Sequence, residues 1–145
     1  MTNMMQNPVR WLVVLLLAVF CVAAVAAPSP FVNSRREPHA VLYLNYKMIP
    51  SRIYPVRIWM VNGKLTNRSN QGVIWMKPDE YTFNFKLTKV VNLDYVPGVT
   101  QKIPDARQTH EMKLSVEAGK AYYIGAKFDP SGKWQPEVWK TTDIK

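Results

Sequence analysis

Cysteine is almost absent from this chain: among its 145 residues the only one is Cys21, which lies within an N-terminal apolar run. Everything after that run must therefore fold without disulfide bonds. A thiol nucleophile and a cysteine-rich zinc site are excluded there as well, because both need a cysteine.

Histidine and glycine are also scarce, which limits the chemistry available to the chain. The two histidines, His39 and His110, show no spacing typical of metal ligands, and we expect both at the surface. The six glycines are isolated, so neither a phosphate-binding loop nor a dinucleotide fingerprint is present, and no G-x-S-x-G element occurs. The sequence therefore predicts no enzyme, no metal site and no cofactor.

The N-terminus has the composition of a secretory signal peptide. Arg10 is the only charged residue among residues 1–26, and it precedes an uncharged run, residues 11–27, that ends in several alanines. The last small residues, Ala24 and Ala26, fit the cleavage rule, so we expect cleavage before Ala27. The alternative is an inner-membrane anchor at residues 11–27, because an uncharged run of this length reaches the lower limit for spanning a bilayer.

Cleavage would leave residues 27–145 with a net charge of +8, since the whole chain carries +9 and the leader contributes one arginine. We expect a flexible arm at residues 27–39, where prolines and charges show no periodicity, followed by one domain at residues 40–145. Small secreted animal domains commonly rely on disulfides, so the lack of cysteine favours a bacterial periplasmic or secreted location.

From Ala40 onward, short runs rich in Val, Ile and aromatic residues alternate with clusters of turn-forming residues. No helical repeat of apolar positions is sustained there, so the pattern predicts an all-β fold, an antiparallel sandwich or a small barrel of about seven strands. Gly125, inside one run, indicates a bulge or a close approach of two strands. The predicted strands are residues 40–46, 56–62, 72–76, 81–90, 111–116, 121–129 and 137–140.

Turn residues divide these strands. Residues 81–88 alternate strictly between apolar and polar side chains, which indicates a strand with one buried face. Turns are predicted at residues 77–80, at residues 117–120, which we interpret as a hairpin, and after Asn62-Gly63, where a polar stretch suggests a loop longer than two residues. Residues 91–108, with two prolines and a glycine, are expected to form a long excursion.

Three segments occur in an order that resembles small bacterial envelope proteins and lipoproteins of uncharacterised function, for which PEGA-like and DUF2846-like domains are the nearest families. These segments are V-N-G-K at 61–64, K-P-D-E-Y-T-F at 77–83 and V-E-A-G-K-A-Y-Y-I at 116–124. The sequence departs from the pattern at Asn62, where Asp is usual, and at Asp79, where Gly is usual. The resemblance implies a transthyretin-like or immunoglobulin-like sandwich and an envelope role, and it brings no functional residues.

Tryptophan marks the candidate binding residues. Trp59 and Trp75 are flanked by Val, Ile and Met, so we expect them to fill the core. Trp134 and Trp139 are flanked by Gly, Lys, Pro and Gln, so we expect both to be exposed. Aromatic rings on a β surface can stack on sugar rings, and nearby lysines attract anions, unless they only keep that face soluble. The predicted binding residues are Lys127, Lys133, Trp134, Trp139 and Lys140.

We interpret these features as a noncatalytic binding or assembly module of the periplasm or envelope. Its expected partner is an envelope protein or an anionic envelope surface, with membrane association as a further option, whereas the leader removes it from nucleic acid. One alternative is a small envelope enzyme that acts on glycans through carboxylates, although nucleophiles are scarce. Another is an inhibitor of a lytic enzyme, although a basic inhibitor would be repelled by the many basic enzymes of that kind.

Overall fold

The structure is a computed structural model that describes residues 27–46, 48, 51–69, 71–88 and 108–144. The predicted signal peptide, and the predicted excursion up to residue 107, lie outside these residues. Within the described ranges, no helix is long and apolar enough to cross a membrane.

The described residues form nine strands and no α-helix, which confirms the all-β prediction. The seven predicted runs correspond to seven of these strands, and two short strands of two residues each were not predicted. In chain order they are β1 Ala40–Tyr43, β2 Ile53–Tyr54, β3 Val56–Val61, β4 Lys64–Leu65, β5 Val73–Met76, β6 Asp79–Leu87, β7 His110–Val116, β8 Lys120–Phe128 and β9 Trp134–Asp143.

The strands build two sheets, and the architecture is a sandwich, not a closed barrel. In the first sheet, β8 is the central strand. One edge of β8 pairs with β9, and its other edge pairs with β1 and β2, which lie end to end. Strand β5 pairs with the far edge of β1. The β1–β8 pair is parallel, and the other pairs are antiparallel. The second sheet has the order β4-β3-β6-β7 and is antiparallel throughout.

The core lies between the two inner faces. In β6, Phe83 and Phe85 are fully buried while Thr82, Asn84 and Lys86 are only half-buried, so the alternation predicted for this strand is confirmed. Leu42, Ile124 and Phe128 from the first sheet belong to the same buried cluster. Burial of side chains of this size stabilises a fold by about 1.5–3 kcal/mol each, which allows the domain to fold without disulfides.

The turn at residues 117–120 corrects one prediction, because it does not close a hairpin. Strand β7 pairs with β6 in the second sheet, whereas β8 belongs to the first. Gly119 has a φ of 78° at the tight turn, and its amide donates to the carbonyl of His39 at 2.9 Å. The chain therefore crosses from one sheet to the other at this turn.

The prediction of a loop longer than two residues after Asn62-Gly63 is also wrong. Val61 pairs directly with Lys64, so the loop contains two residues and joins β3 to β4 in a hairpin. Both loop residues have positive φ, 50° and 74°, as the favoured two-residue hairpin turn requires. The side-chain oxygen of Asn62 also accepts a hydrogen bond from the Thr82 amide at 2.9 Å, which fixes the turn against β6.

Part of the segment expected as a flexible arm, residues 27–39, is docked on the first sheet. The amide of Val32 donates to the Trp75 carbonyl at 3.1 Å, and the amide of Lys77 donates to the Pro30 carbonyl at 2.9 Å. Val32 is buried. This short segment therefore continues the first sheet beyond β5 and covers that edge.

Candidate binding surface

A β-bulge in β9 shapes the outer face of the first sheet. Lys140 lies opposite Tyr123 and Val138 lies opposite Ile124, so Trp139 is the extra residue between them. Neighbouring residues on a regular strand point to opposite sides, whereas a bulge redirects a side chain. Both side chains therefore reach Tyr123: the Trp139 ring centroid is 5.4 Å from that of Tyr123, and Nζ of Lys140 is 5.2 Å from it.

Gly125 leaves the space that the Trp139 ring needs. A Cβ built at Gly125 would overlap Cγ2 of Ile53, and it would lie 3.1 Å from the Tyr54 carbonyl oxygen and 3.7 Å from Nε1 of Trp139. Glycine alone lets these groups approach the strand so closely. The prediction that Gly125 marks a bulge or a close approach is confirmed.

Four aromatic rings contact one another on this outer face and form the aromatic patch: Tyr43, Tyr46, Tyr123 and Trp139. Tyr43 stacks on Tyr123 with centroids 4.8 Å apart and an interplanar angle of 16°. Tyr46 meets Tyr123 edge-on at 5.1 Å and Trp139 at 5.9 Å. Each such pair contributes about 0.5–1.5 kcal/mol beyond burial, so the rings hold one another in place.

The aromatic patch presents polar groups as well as ring surface. Tyr46 is 44% exposed, and Tyr43 and Tyr123 are half-buried. Among the described residues, none of the three phenol hydroxyls has a hydrogen-bond partner. The indole Nε1 of Trp139 is buried, so that residue offers its ring and not its N–H.

Trp134 corrects the expectation that the last two tryptophans are exposed. It is 3% exposed, pairs with Phe128 across the β8–β9 hairpin, and lies in the core. Its ring is 4.2 Å from that of His110, which is half-buried, and burial lowers the pKa of that histidine. Trp134 and Val138 lie on the same inward face of β9, because residues an even number of positions apart on a strand share a face. This spacing is visible in the sequence, but the polar residues around Trp134 led to the prediction that it is exposed.

Trp59 and Trp75 correct the expectation of core filling, because both are half-buried on outer faces of the sheets. Trp59 lies at a bulge of β3, and Nζ of Lys86 is 3.5 Å from its ring centroid. The guanidinium carbon of Arg35 is 4.4 Å from the centroid of Trp75. A cation therefore already occupies one face of each ring.

The predicted lysines separate into two places. Lys140 is exposed beside the aromatic patch, whereas Lys127 and Lys133 line a groove of about 680 Å³ at the end of the β8–β9 hairpin, together with Arg52 and Glu137. We refer to this space as the basic groove. Of the five predicted residues, the structure thus places Trp139 and Lys140 together, two lysines at the groove, and Trp134 in the core.

Asp129 holds the turn beside the basic groove. Its Oδ1 accepts hydrogen bonds from Oγ of Ser131 at 2.7 Å and from the amides of Ser131 and Lys133 at 2.9 and 3.0 Å. The bond from the Ser131 hydroxyl contributes most to lowering the pKa of Asp129. The carboxylate therefore remains ionised and fixes the position from which Lys133 projects.

The tyrosines of the aromatic patch were not among the predicted binding residues. Tyr43 meets Tyr123 only because β1 pairs in parallel with β8, a contact between strands 80 positions apart in the chain. Within the described residues, no group of three acidic or histidine side chains could hold a metal ion.

A scan against protein-family models, a search of curated proteins and a search of solved structures found no match. The resemblance to PEGA-like and DUF2846-like domains therefore stays a prediction.

Proposed function

We propose that this protein is a noncatalytic binding module of the bacterial envelope, which contacts an anionic envelope component through the aromatic patch and Lys140. The observation that carries the proposal is the cluster of four touching rings on an outer sheet face, with a cation beside it. The export signal expected at residues 1–26 supports the envelope location.

Two kinds of interaction would combine at this surface. Lys140 supplies long-range attraction to negative charge, and the rings supply short-range apolar contact. Trp134 is a poorer candidate because it is buried. Lys86 and Arg35 approach the ring centroids of Trp59 and Trp75 to 3.5 and 4.4 Å, closer than Lys140 approaches that of Tyr123, so those two rings are poorer candidates as well. The aromatic patch is therefore the part of the outer surface best suited to stack on a ligand.

The test is titration of the purified protein against anionic phospholipid vesicles, lipopolysaccharide and cell-wall fragments at several salt concentrations. We expect Trp139→Ala to weaken binding by about 2 kcal/mol at every salt concentration, as a central aromatic anchor does. Lys140→Gln should matter mainly at low salt, because the Debye length shortens from about 10 Å at 0.1 M to about 3 Å at 1 M.

Trp59→Ala is the matched control, since Trp59 is also a half-buried tryptophan at a bulge, but on the other sheet. Tyr46→Ala removes the most exposed ring of the aromatic patch, and its unfolding curve shows how much of its effect on binding comes from lost ring contacts. Unfolding curves of every variant accompany the titrations. If neither Trp139→Ala nor Tyr46→Ala weakens binding to any of the three materials, the proposal is wrong.

A further inference from the structure

The basic groove holds three cationic side chains and two carboxylates, so its net charge is positive. Among the described residues, Arg52, Lys127 and Lys133 form no ion pair. The groove also contains Asp129, whose carboxylate is engaged by the turn, and Glu137. Positive charge is therefore in excess, and the three cationic side chains have donors to spare for an acidic group.

Arg52 is held at the groove in an unusual backbone conformation. Its φ is 54°, which costs a residue with a side chain about 1–2 kcal/mol. The hydrogen bond from the Phe128 amide to the Arg52 carbonyl, at 3.1 Å, fixes this conformation against the end of β8. This turn conformation places Arg52 at the basic groove.

The basic groove continues the face that carries the aromatic patch. Residues at period two along β8 share a face, so Tyr123, Gly125 and Lys127 point to the same side. Lys127 lies four residue steps along the strand from Tyr123, which corresponds to about 13 Å. A ligand that contacts both must therefore be longer than one sugar ring.

The aromatic patch and the basic groove together suit a ligand that carries both sugar rings and negative charge. The negative faces of the tyrosine and tryptophan rings attract the C–H groups of a sugar, and the three phenol hydroxyls of the aromatic patch can hydrogen-bond its hydroxyls. Insertion into a bilayer instead needs aromatic or apolar side chains that protrude from the surface, whereas Tyr43, Tyr123 and Trp139 are half-buried. The hydroxyl-bearing patch and its neighbouring cations fit an acidic saccharide better.

We propose that the outer face of the first sheet binds an acidic oligosaccharide, with sugar rings on the aromatic patch and a carboxylate of the chain held by Arg52, Lys127 and Lys133 in the basic groove. This inference rests on the proposed function and deepens it by naming the ligand class. The planar guanidinium of Arg52 matches a carboxylate through two parallel hydrogen bonds, and the lysines add point charges.

The test compares three probes by calorimetric titration of the purified protein: a tetramer of galacturonic acid, the same tetramer fully methyl-esterified, and anionic phospholipid vesicles. Esterification keeps the rings and removes the charge. We expect the acid to bind about tenfold more tightly than the ester at low salt, and high salt to remove that difference.

Substitutions in the basic groove and in the aromatic patch then show what each contributes to binding. The double substitution Lys127→Gln/Lys133→Gln should remove part of the tenfold preference for the acid, because Arg52 remains in the groove, and should leave the affinity for the ester unchanged. Trp139→Ala should weaken both. Lys113→Gln, an exposed lysine on β7 of the other sheet, is the matched control and should change neither.

The outcomes separate this inference from the proposed function. Equal binding of acid and ester, or a groove variant that behaves like Lys113→Gln, overturns the role of the basic groove and leaves the aromatic contact standing. Binding of vesicles without either tetramer overturns the saccharide inference while the proposed contact with an anionic component survives. If Trp139→Ala and Tyr46→Ala also leave binding to vesicles, lipopolysaccharide and cell-wall fragments unchanged, both are wrong.

Discussion

Substitution of Gly125 by alanine tests the close approach of Ile53 and Tyr54 to β8. The new Cβ would overlap Cγ2 of Ile53 and crowd the Tyr54 carbonyl oxygen. Overpacking of this kind costs about 1–3 kcal/mol. Alanine is less flexible than glycine in the unfolded chain, which offsets about 0.5–1 kcal/mol of that cost. We expect a net loss of about 1–2 kcal/mol in the free energy of unfolding.

Urea unfolding measures this loss directly, and thermal unfolding should show a decrease of about 4–8 °C in Tm for a domain of this size. The sharper measurement is a double-mutant cycle with Ile53→Leu. Leucine has no second carbon on Cβ, so the overlapping Cγ2 is absent. Ile53→Leu should therefore restore part of the stability that Gly125→Ala removes.

Gly63→Ala is the control for the cycle. Gly63 lies in the β3–β4 turn, where nothing surrounds a built Cβ, so the cost of its substitution arises from a φ of 74°. Ile53→Leu should not rescue it. The reasoning is refuted if Gly125→Ala is as stable as the original protein, or if its effect and that of Ile53→Leu add within about 0.5 kcal/mol.

Two further predictions concern the inner side of β9. Trp134→Ala should cost about 3–5 kcal/mol in urea unfolding, because the ring is buried, and a loss below about 1 kcal/mol would contradict its place in the core. Burial holds the pKa of His110 below its ordinary value of about 6.5, so the unfolded chain binds a proton first on acidification. The free energy of unfolding should therefore fall as the pH drops below about 6.5. The fall should be smaller in His110→Gln. An NMR titration that gives His110 a pKa at or above about 6.5 would contradict this.

The sequence alone determined the features that depend on neighbours along the chain. The strict alternation of residues 81–88 predicts the buried face of β6, because successive side chains of a strand point to opposite sides. Gly125 likewise indicates a close approach, since glycine inside an apolar strand leaves space for another group.

Only the tertiary structure decided which aromatic side chains form a surface. Trp139 faces outward beside Lys140 because a bulge adds one residue to β9, and Trp134 faces inward because the hairpin sets it opposite Phe128. Tyr43 meets Tyr123 through the parallel pairing of two distant strands. Register and bulges are fixed by contacts between strands, so the residues beside Trp139 in the chain carry too little information to predict the bulge that turns it outward.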